Sequence, residues 1–250
     1  MASTNKQGQF WDRVTEQAQP LTEALRLIET LLPLDSIRGR DVLDAGCGAG
    51  DYSTALAQIG ARSVTGLDVS TGSLQLAKTQ TPVGNFVQAS LSELPYRDES
   101  FDAIWSWGVL HYVPNTYAAL HEIARVLRPG GVAVIHTIRA SLWATLERAG
   151  AKLFSSAPGW VEPLVLSTGE RIIPLVSQAV TGHSPEAQTS KSVRQKLHER
   201  LFVPGETHMF TFEQLAAGFG TSIDLTIAHA PVADLLKRDM SLTLVARKRG

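Results

Sequence analysis

The chain has 250 residues, 44% of them hydrophobic and 19% charged, with a formal net charge of −1. That is globular composition, with room for one large domain or for a domain that carries an insertion. The balance of 23 Lys+Arg against 24 Asp+Glu argues against nucleic acid as an obligate partner. No apolar run approaches the roughly 20 residues that span a bilayer. A single cysteine leaves no internal disulfide and no cysteine-based metal site. Met1 to Gln9 is polar and lacks an apolar signal region, so a reducing, cytoplasmic setting is expected.

In chain order, residues 1–9 read as a tail, and Phe10, Trp11 and Val14 form an apolar cluster. Pro20 opens a helix with Leu21, Leu25, Ile28 and Leu32 on one face, ended by Pro33. A regular alternation follows. Asp41–Ala45 reads as a strand, and Tyr52–Ile59 as a helix stopped by Gly60. Ser63–Val69 is a strand, and Ser70 caps a helix that runs to about Gln80. Asn85–Gln88 and Phe101–Ser106 are strands, and Asn115–Leu127 is a helix that Arg128-Pro129-Gly130-Gly131 stops. Val132–Ile138 is another largely apolar strand. Strand–helix alternation with continuously apolar strands predicts a parallel sheet covered by helices on both faces.

After Ile138 the rhythm breaks. Ser141–Lys152 reads as helical, and 153–208 is irregular and proline-punctuated. The segment 140–208 is too long for an ordinary connection and reads as a functional insertion. Thr211 and Gln214 form a capping box that opens a helix closed by Gly220. Ile223–His229 and Ser241–Lys248 are two final strands joined by a hairpin-like connection, so the last strand is expected to run antiparallel. The expected organisation is an N-terminal arm and helix over 1–34, a ligand-binding core over 35–139, an insertion over 140–208, and the rest of the core sheet over 209–250.

The chemistry concentrates at Val42-Leu43-Asp44-Ala45-Gly46-Cys47-Gly48-Ala49-Gly50-Asp51, where a strand turns sharply on glycines into a helix. Glycines there let the backbone approach a ligand closely, and the helix aims its free N–H groups and positive end at the same spot. A dinucleotide site wants G-x-G-x-x-G/A, but the third position is Asp51 or Ser53, depending on the starting glycine. A phosphate loop wants G-K-[ST], and no lysine follows these glycines. Asp44 and Asp51 would repel a pyrophosphate and suit a cation or an amine. Asp68 ends the adjacent strand, where a carboxylate accepts hydrogen bonds from a ribose diol; its other reading is a cap for the next helix, which Ser70 can supply instead.

Asp44 through Gly50, Asp68, Leu94-Pro95-Tyr96, Ser100 through Ile104, Val109-Leu110-His111 and Arg125 through Gly131 together resemble a class I S-adenosylmethionine-dependent methyltransferase. The pattern is similar to the small-molecule branch that includes quinone-biosynthesis and natural-product methyltransferases. It covers about residues 35–140 and, more weakly, the last two strands. The resemblance implies a doubly wound α/β fold: a seven-stranded, mostly parallel, Rossmann-like sheet with an antiparallel last strand and a lid insertion. It implies S-adenosyl-L-methionine as cofactor, held by Asp44, Gly46, Cys47, Gly48, Gly50, Asp68, Val69, Ser90, Leu91 and Trp107. Asp44 would favour the methionine amine, Asp68 the ribose hydroxyls, and Leu67 and Val69 the adenine faces. Ser90 stands where the family usually has an acidic residue for the adenine amino group. Its hydroxyl is a weaker acceptor.

The implied acceptor is a small molecule with an O, N or C nucleophile. His111 stands beside the expected reaction centre, as a general base or as a packing residue, and His208 is a second base candidate. Trp107 either shapes the pocket or packs in the core, and Trp105 reads as core. Trp11, Trp107, His111 and Trp143 are candidate pocket residues, and Phe154, Trp160 and Phe202 are further aromatics of the insertion. His121, His136 and His229 belong to regular elements, and His183 and His198 read as solvated. Histidine spacing shows no metal site. Lys191, Arg194, Lys196 and Arg200 with Glu199 read as a solvent-facing helical face. A monomer or homodimer without nucleic acid or a membrane span is expected. The competing readings are a cofactor-binding module without catalysis and a related enzyme catalysing a non-methylation reaction such as cyclisation.

Overall fold

The computed structural model describes residues 20–82, 84–140, 208–228 and 241–250. The chain divides into two units, Met1–Ile138 with His208–Pro231 and Ser241–Gly250, and Arg139–Thr207 with Val232–Met240. The described residues fall almost wholly in the first. Phe10, Trp11, Val14, Trp143, Phe154, Trp160, His183, Lys191, Arg194, Lys196, His198, Glu199, Arg200, Phe202 and His229 lie outside the described residues, as does nearly all of the 140–208 insertion.

The first unit is built on one seven-stranded sheet. In chain order its elements are α1 (Leu21–Leu31), β1 (Asp41–Ala45), α2 (Asp51–Ile59), β2 (Ser63–Asp68), α3 (Thr71–Gln80) and β3 (Asn85–Gln88). They continue with β4 (Phe101–Trp107), α4 (Thr116–Val126), β5 (Leu127–Ile138), α5 (Phe212–Phe219), β6 (Ile223–Ala228) and β7 (Ser241–Lys248). The strand order is β3-β2-β1-β4-β5-β7-β6. β1 through β5 pair in parallel, and β7 runs antiparallel between β5 and β6. The order reverses between β1 and β4, so a crevice opens at the carboxyl ends of those two strands, where open α/β sheets place ligands.

Both sheet faces are covered, which is why the strands are apolar throughout. One face packs Leu43, Ile104 and Ile135 against Leu120 and Ile123 of α4 and Leu215 and Phe219 of α5. The other packs Val42, Trp105 and Val134 against Ala24 and Ile28 of α1 and Ala55 and Leu56 of α2. Trp105 is fully buried, as its sequence position implied.

The local signals behave as their chemistry dictates. Gly60 caps α2 in the left-handed region, Ser70 Oγ accepts from Ser73 N, and Thr211 and Gln214 form the capping box of α5. Two expectations are corrected. Leu21 is 37% exposed, so α1 buries Ala24 and Ile28, with Leu32 buried just past its end, rather than a stripe beginning at Leu21. Arg128-Pro129-Gly130-Gly131 ends α4 but lies inside β5, which starts at Leu127; the β4–β5 register shifts between Phe101 and Ala103 to absorb it. Arg128 is drawn there by Asp102 and Asp41, at 2.8 and 3.1 Å. Among the described residues no helix is long and apolar enough to cross a membrane.

Candidate functional site

The glycine turn sits in the crevice. Gly46, Gly48 and Gly50 all have positive φ, at 84°, 51° and 94°. A Cβ on Gly46 would lie 2.3 Å from Val109 Cγ2, and one on Gly50 would lie 3.0 Å from the Cα of Ala77. The sequence reading assigned these glycines to close approach by a ligand. Neighbouring protein atoms supply a second reason for glycine at both positions. The Val109 contact presses the segment that leaves β4 against the turn that leaves β1.

Hydrogen bonds fix the turn from below. Gly46 N and Cys47 N both donate to the Leu67 carbonyl, at 2.6 and 3.0 Å. Gly48 N donates to Asp68 Oδ2 at 3.0 Å, and Ser70 N to Asp68 Oδ1 at 2.9 Å. Asp68 therefore ties the glycine turn to the start of α3. Each oxygen of the carboxylate accepts one of these backbone donors. Two adjacent acceptor oxygens at a strand end match a vicinal diol.

Asp44 is buried beneath the turn and accepts from Ser53 Oγ at 2.6 Å. Burial is the main cause that raises its pKa to about 7, with a further push from the Asp68 charge. The Ser53 bond opposes the shift. The sign follows: ionisation of Asp44 erodes folded stability as pH rises from the ordinary carboxylate range through about 7. A cation placed against Asp44 offsets that cost. The site fits a ligand with an ammonium or sulfonium at one end and a diol in the middle.

The next wall is shorter. Gln88 Nε2 donates to the Val69 carbonyl at 2.9 Å and holds the strand exit. Leu91 is buried. Ser90 Oγ accepts from Ser92 N at 3.2 Å, and its carbonyl accepts from Glu93 N at 3.1 Å. One lone pair of the Ser90 hydroxyl is thus engaged in closing its own turn.

At the ends of β4 and β5 aromatic rings accumulate. Trp107 stacks on His136 with centroids 4.0 Å apart and on Trp105 at 5.5 Å, while Tyr52 of α2 lies 6.1 Å away. Gly108 N donates to the His136 carbonyl at 3.1 Å, and His136 Nδ1 lies 2.9 Å from Thr243 Oγ1. Trp107 is half-buried, joining the core on one side and the strand end on the other. His111 lies on a 3-10 turn, Leu110–Tyr112, and is 6% exposed. Its carbonyl accepts from His208 N at 2.7 Å, and its Nδ1 has no hydrogen-bond partner. Burial, then the charges of His136 and His208, depress the His111 pKa to about 3; burial holds His136 at about 4.

The structure thus places Asp44, Gly46, Cys47, Gly48, Gly50, Asp68 and Val69 around one turn. His111, His208 and Trp107 lie at the neighbouring strand ends. Trp11 and Trp143 lie outside the described residues. His136 was passed over in the sequence because it sits mid-strand. Its signal was its position two residues from the end of an apolar strand. Among the described residues no group of histidine, cysteine or acidic side chains is arranged to hold a metal.

Residues 43–135 match a family described as a methyltransferase domain. The chain is 34% identical over 130 residues to 27-O-demethylrifamycin SV methyltransferase of Amycolatopsis mediterranei, covering 49% of this chain and 47% of that protein. It is 33% identical over 133 residues to malonyl-[acyl-carrier protein] O-methyltransferase of Erwinia pyrifoliae, covering 53% and 49%. The chain spans about half the length of the curated relatives it matches. An S-adenosylmethionine-dependent methyltransferase structure from Mesorhizobium loti superposes with a TM-score of 0.57 at 22% identity, over 92% of this chain and all of that one, a likeness of fold.

Gly46→Ala is expected to lower stability by about 2 kcal/mol or more, from the left-handed backbone and the Val109 clash. In a double-mutant cycle with Val109→Ala, urea denaturation should give a coupling of about 1 kcal/mol that partly restores stability. Strict additivity would show that the two residues do not press on each other.

Proposed function

We propose that this chain, whose residues 43–135 match a methyltransferase-domain family, is a class I S-adenosylmethionine-dependent methyltransferase that moves the methyl group of S-adenosylmethionine to an O, N or C nucleophile of a small, partly apolar molecule. The observation that carries the reading is Asp68, whose carboxylate joins the glycine turn to α3 at the topological switch of the sheet. Asp68 takes the ribose hydroxyls. Asp44 supplies a buried negative charge near the amine end, and the backbone of Gly46, Cys47, Gly48 and Gly50 lines the methionine chain. Val69, Leu91 and Ser90 border the adenine, and Trp107 borders the pocket near the methyl group.

S-adenosylmethionine, when bound, supplies a methyl group on a positively charged sulfur. The protein's part is to orient the nucleophile in line and to exclude water, which can supply most of the acceleration for such a transfer. His111 serves the acceptor side, with His208 behind it. The protein acts in the cytoplasm as a monomer or homodimer. The relatives named for rifamycin and malonyl-carrier methylation support a small-molecule acceptor.

Titration calorimetry with S-adenosylhomocysteine should show Asp68→Ala binding at least tenfold more weakly than wild type, with an unchanged far-ultraviolet circular dichroism spectrum. Equal affinity would show the ribose assignment to be wrong. A second titration series follows from Asp44. A bound cation favours its ionised form, so affinity should rise as pH increases towards about 7 and level off above it. The rise should be absent in Asp44→Asn; a pH-independent wild-type affinity would contradict the role of Asp44.

A further inference from the structure

Asp68 and Gln88 end two adjacent parallel strands and are register partners. Neighbouring strands lie about 4.8 Å apart, so Gln88 stands one strand spacing beyond the residue given to the ribose. Ala89 N donates to the Asp68 carbonyl at 3.1 Å and holds the β3 exit beside it. With the amine end of the ligand at Asp44 and the diol at Asp68, the methionine part occupies the β1 side. The base then extends the other way, past Val69 and over the β3 exit, where Gln88, Ala89 and Ser90 follow one another.

The acceptors at that exit are unequally free. Ser90 Oγ accepts from Ser92 N at 3.2 Å, and the Ser90 carbonyl accepts from Glu93 N at 3.1 Å. Both groups serve the turn that Ser90 opens. Gln88 Nε2 donates to the Val69 carbonyl at 2.9 Å. A carbonyl only accepts, so this bond decides which arm of the amide is nitrogen and leaves Oε1 on the other arm. Among the described residues Oε1 has no hydrogen-bond partner. Gln88 is exposed, so this oxygen is open to a ligand. An amide oxygen accepts and cannot donate, whereas a serine hydroxyl does either. Gln88 Oε1 therefore distinguishes an amino group from hydrogen or a ring oxygen, and Ser90 does so poorly.

We propose that Gln88, and not Ser90, accepts the hydrogen bond of the adenine amino group and makes the site selective for a 6-aminopurine. This rests on the cofactor reading above and adds a residue to it. Val69 serves both contacts: its side chain borders the base, and its carbonyl fixes the amide that reads the edge of the base. The acceptor is neutral and lies at the rim, so its selectivity is about three- to tenfold, the range of one uncharged hydrogen bond.

The test is calorimetry on the intact chain with S-adenosylhomocysteine and with its 6-deamino analogue, in which hydrogen replaces the amino group. Wild type should bind the analogue about three- to tenfold more weakly. In Gln88→Ala the ratio of the two affinities should fall to about one, with an unchanged far-ultraviolet circular dichroism spectrum, while Ser90→Ala and Glu93→Gln keep the wild-type ratio. If Gln88 only held Val69 in place, Gln88→Ala would weaken both ligands alike and keep the ratio, which would overturn the assignment. A ratio lost in Ser90→Ala or in Glu93→Gln would overturn it as well. The two levels separate in the wild type. Failure of S-adenosylhomocysteine to bind defeats the cofactor reading, whereas equal affinity for both compounds defeats only the contact to the amino group.

Discussion

The site depends on one close approach, the Val109 side chain lying where a Cβ on Gly46 would have to be. Two strand exits meet there. One is the turn after β1, which Asp68 and the Leu67 carbonyl hold in place. The other is the segment after β4, which carries His111. The Val109 side chain takes up the space that any larger residue at position 46 would need. The turn after β1 and the segment after β4 are therefore neighbours in space, the arrangement that the proposed in-line transfer needs.

Around that contact the electrostatics divide in two. On the β1–β2 side stand Asp44 and Asp68, with Asp44 held by burial at the edge of ionisation. On the β4–β5 side the titratable groups are histidines kept neutral by burial. A cation is favoured at the first, and the second has no lysine or arginine among its buried described residues. The burial that holds Asp44 near neutrality costs stability, as polar functional sites commonly do. The ion pairs of Asp41 and Asp102 with Arg62 and Arg128 lie at the opposite ends of the strands, where they serve the fold rather than the site.

Much of this was readable from local chemistry. Ser70, Gly60 and the Thr211–Gln214 pair act within one helical turn, so residue type alone located those helix ends. Asp68 could be placed at the end of β2 because strand length and the offset from Gly46 fix its position. What failed was what depends on partners far along the chain. The packing reason for glycine at position 46 was missed because Val109, 63 residues later, is invisible in local sequence. His136 looked like an ordinary strand residue because its ring partner, Trp107, comes from another strand. Arg128 through Gly131 looked like a stop because proline and glycines break helices; the ion pairs that carry them into β5 are tertiary. Leu21 fits the helical period but starts the helix, where no neighbouring element covers it.

The central claim is that the glycine turn and Asp68 hold a nucleoside sulfonium cofactor with its reactive end towards the β4 exit. A crystal structure of the protein with S-adenosylhomocysteine tests this most directly. It should show both ribose hydroxyls on the Asp68 carboxylate, the homocysteine chain along Gly46–Gly48, and the sulfur facing the Trp107–His111 segment. Ribose hydroxyls without contact to Asp68, or a sulfur pointing away from that segment, would contradict the account.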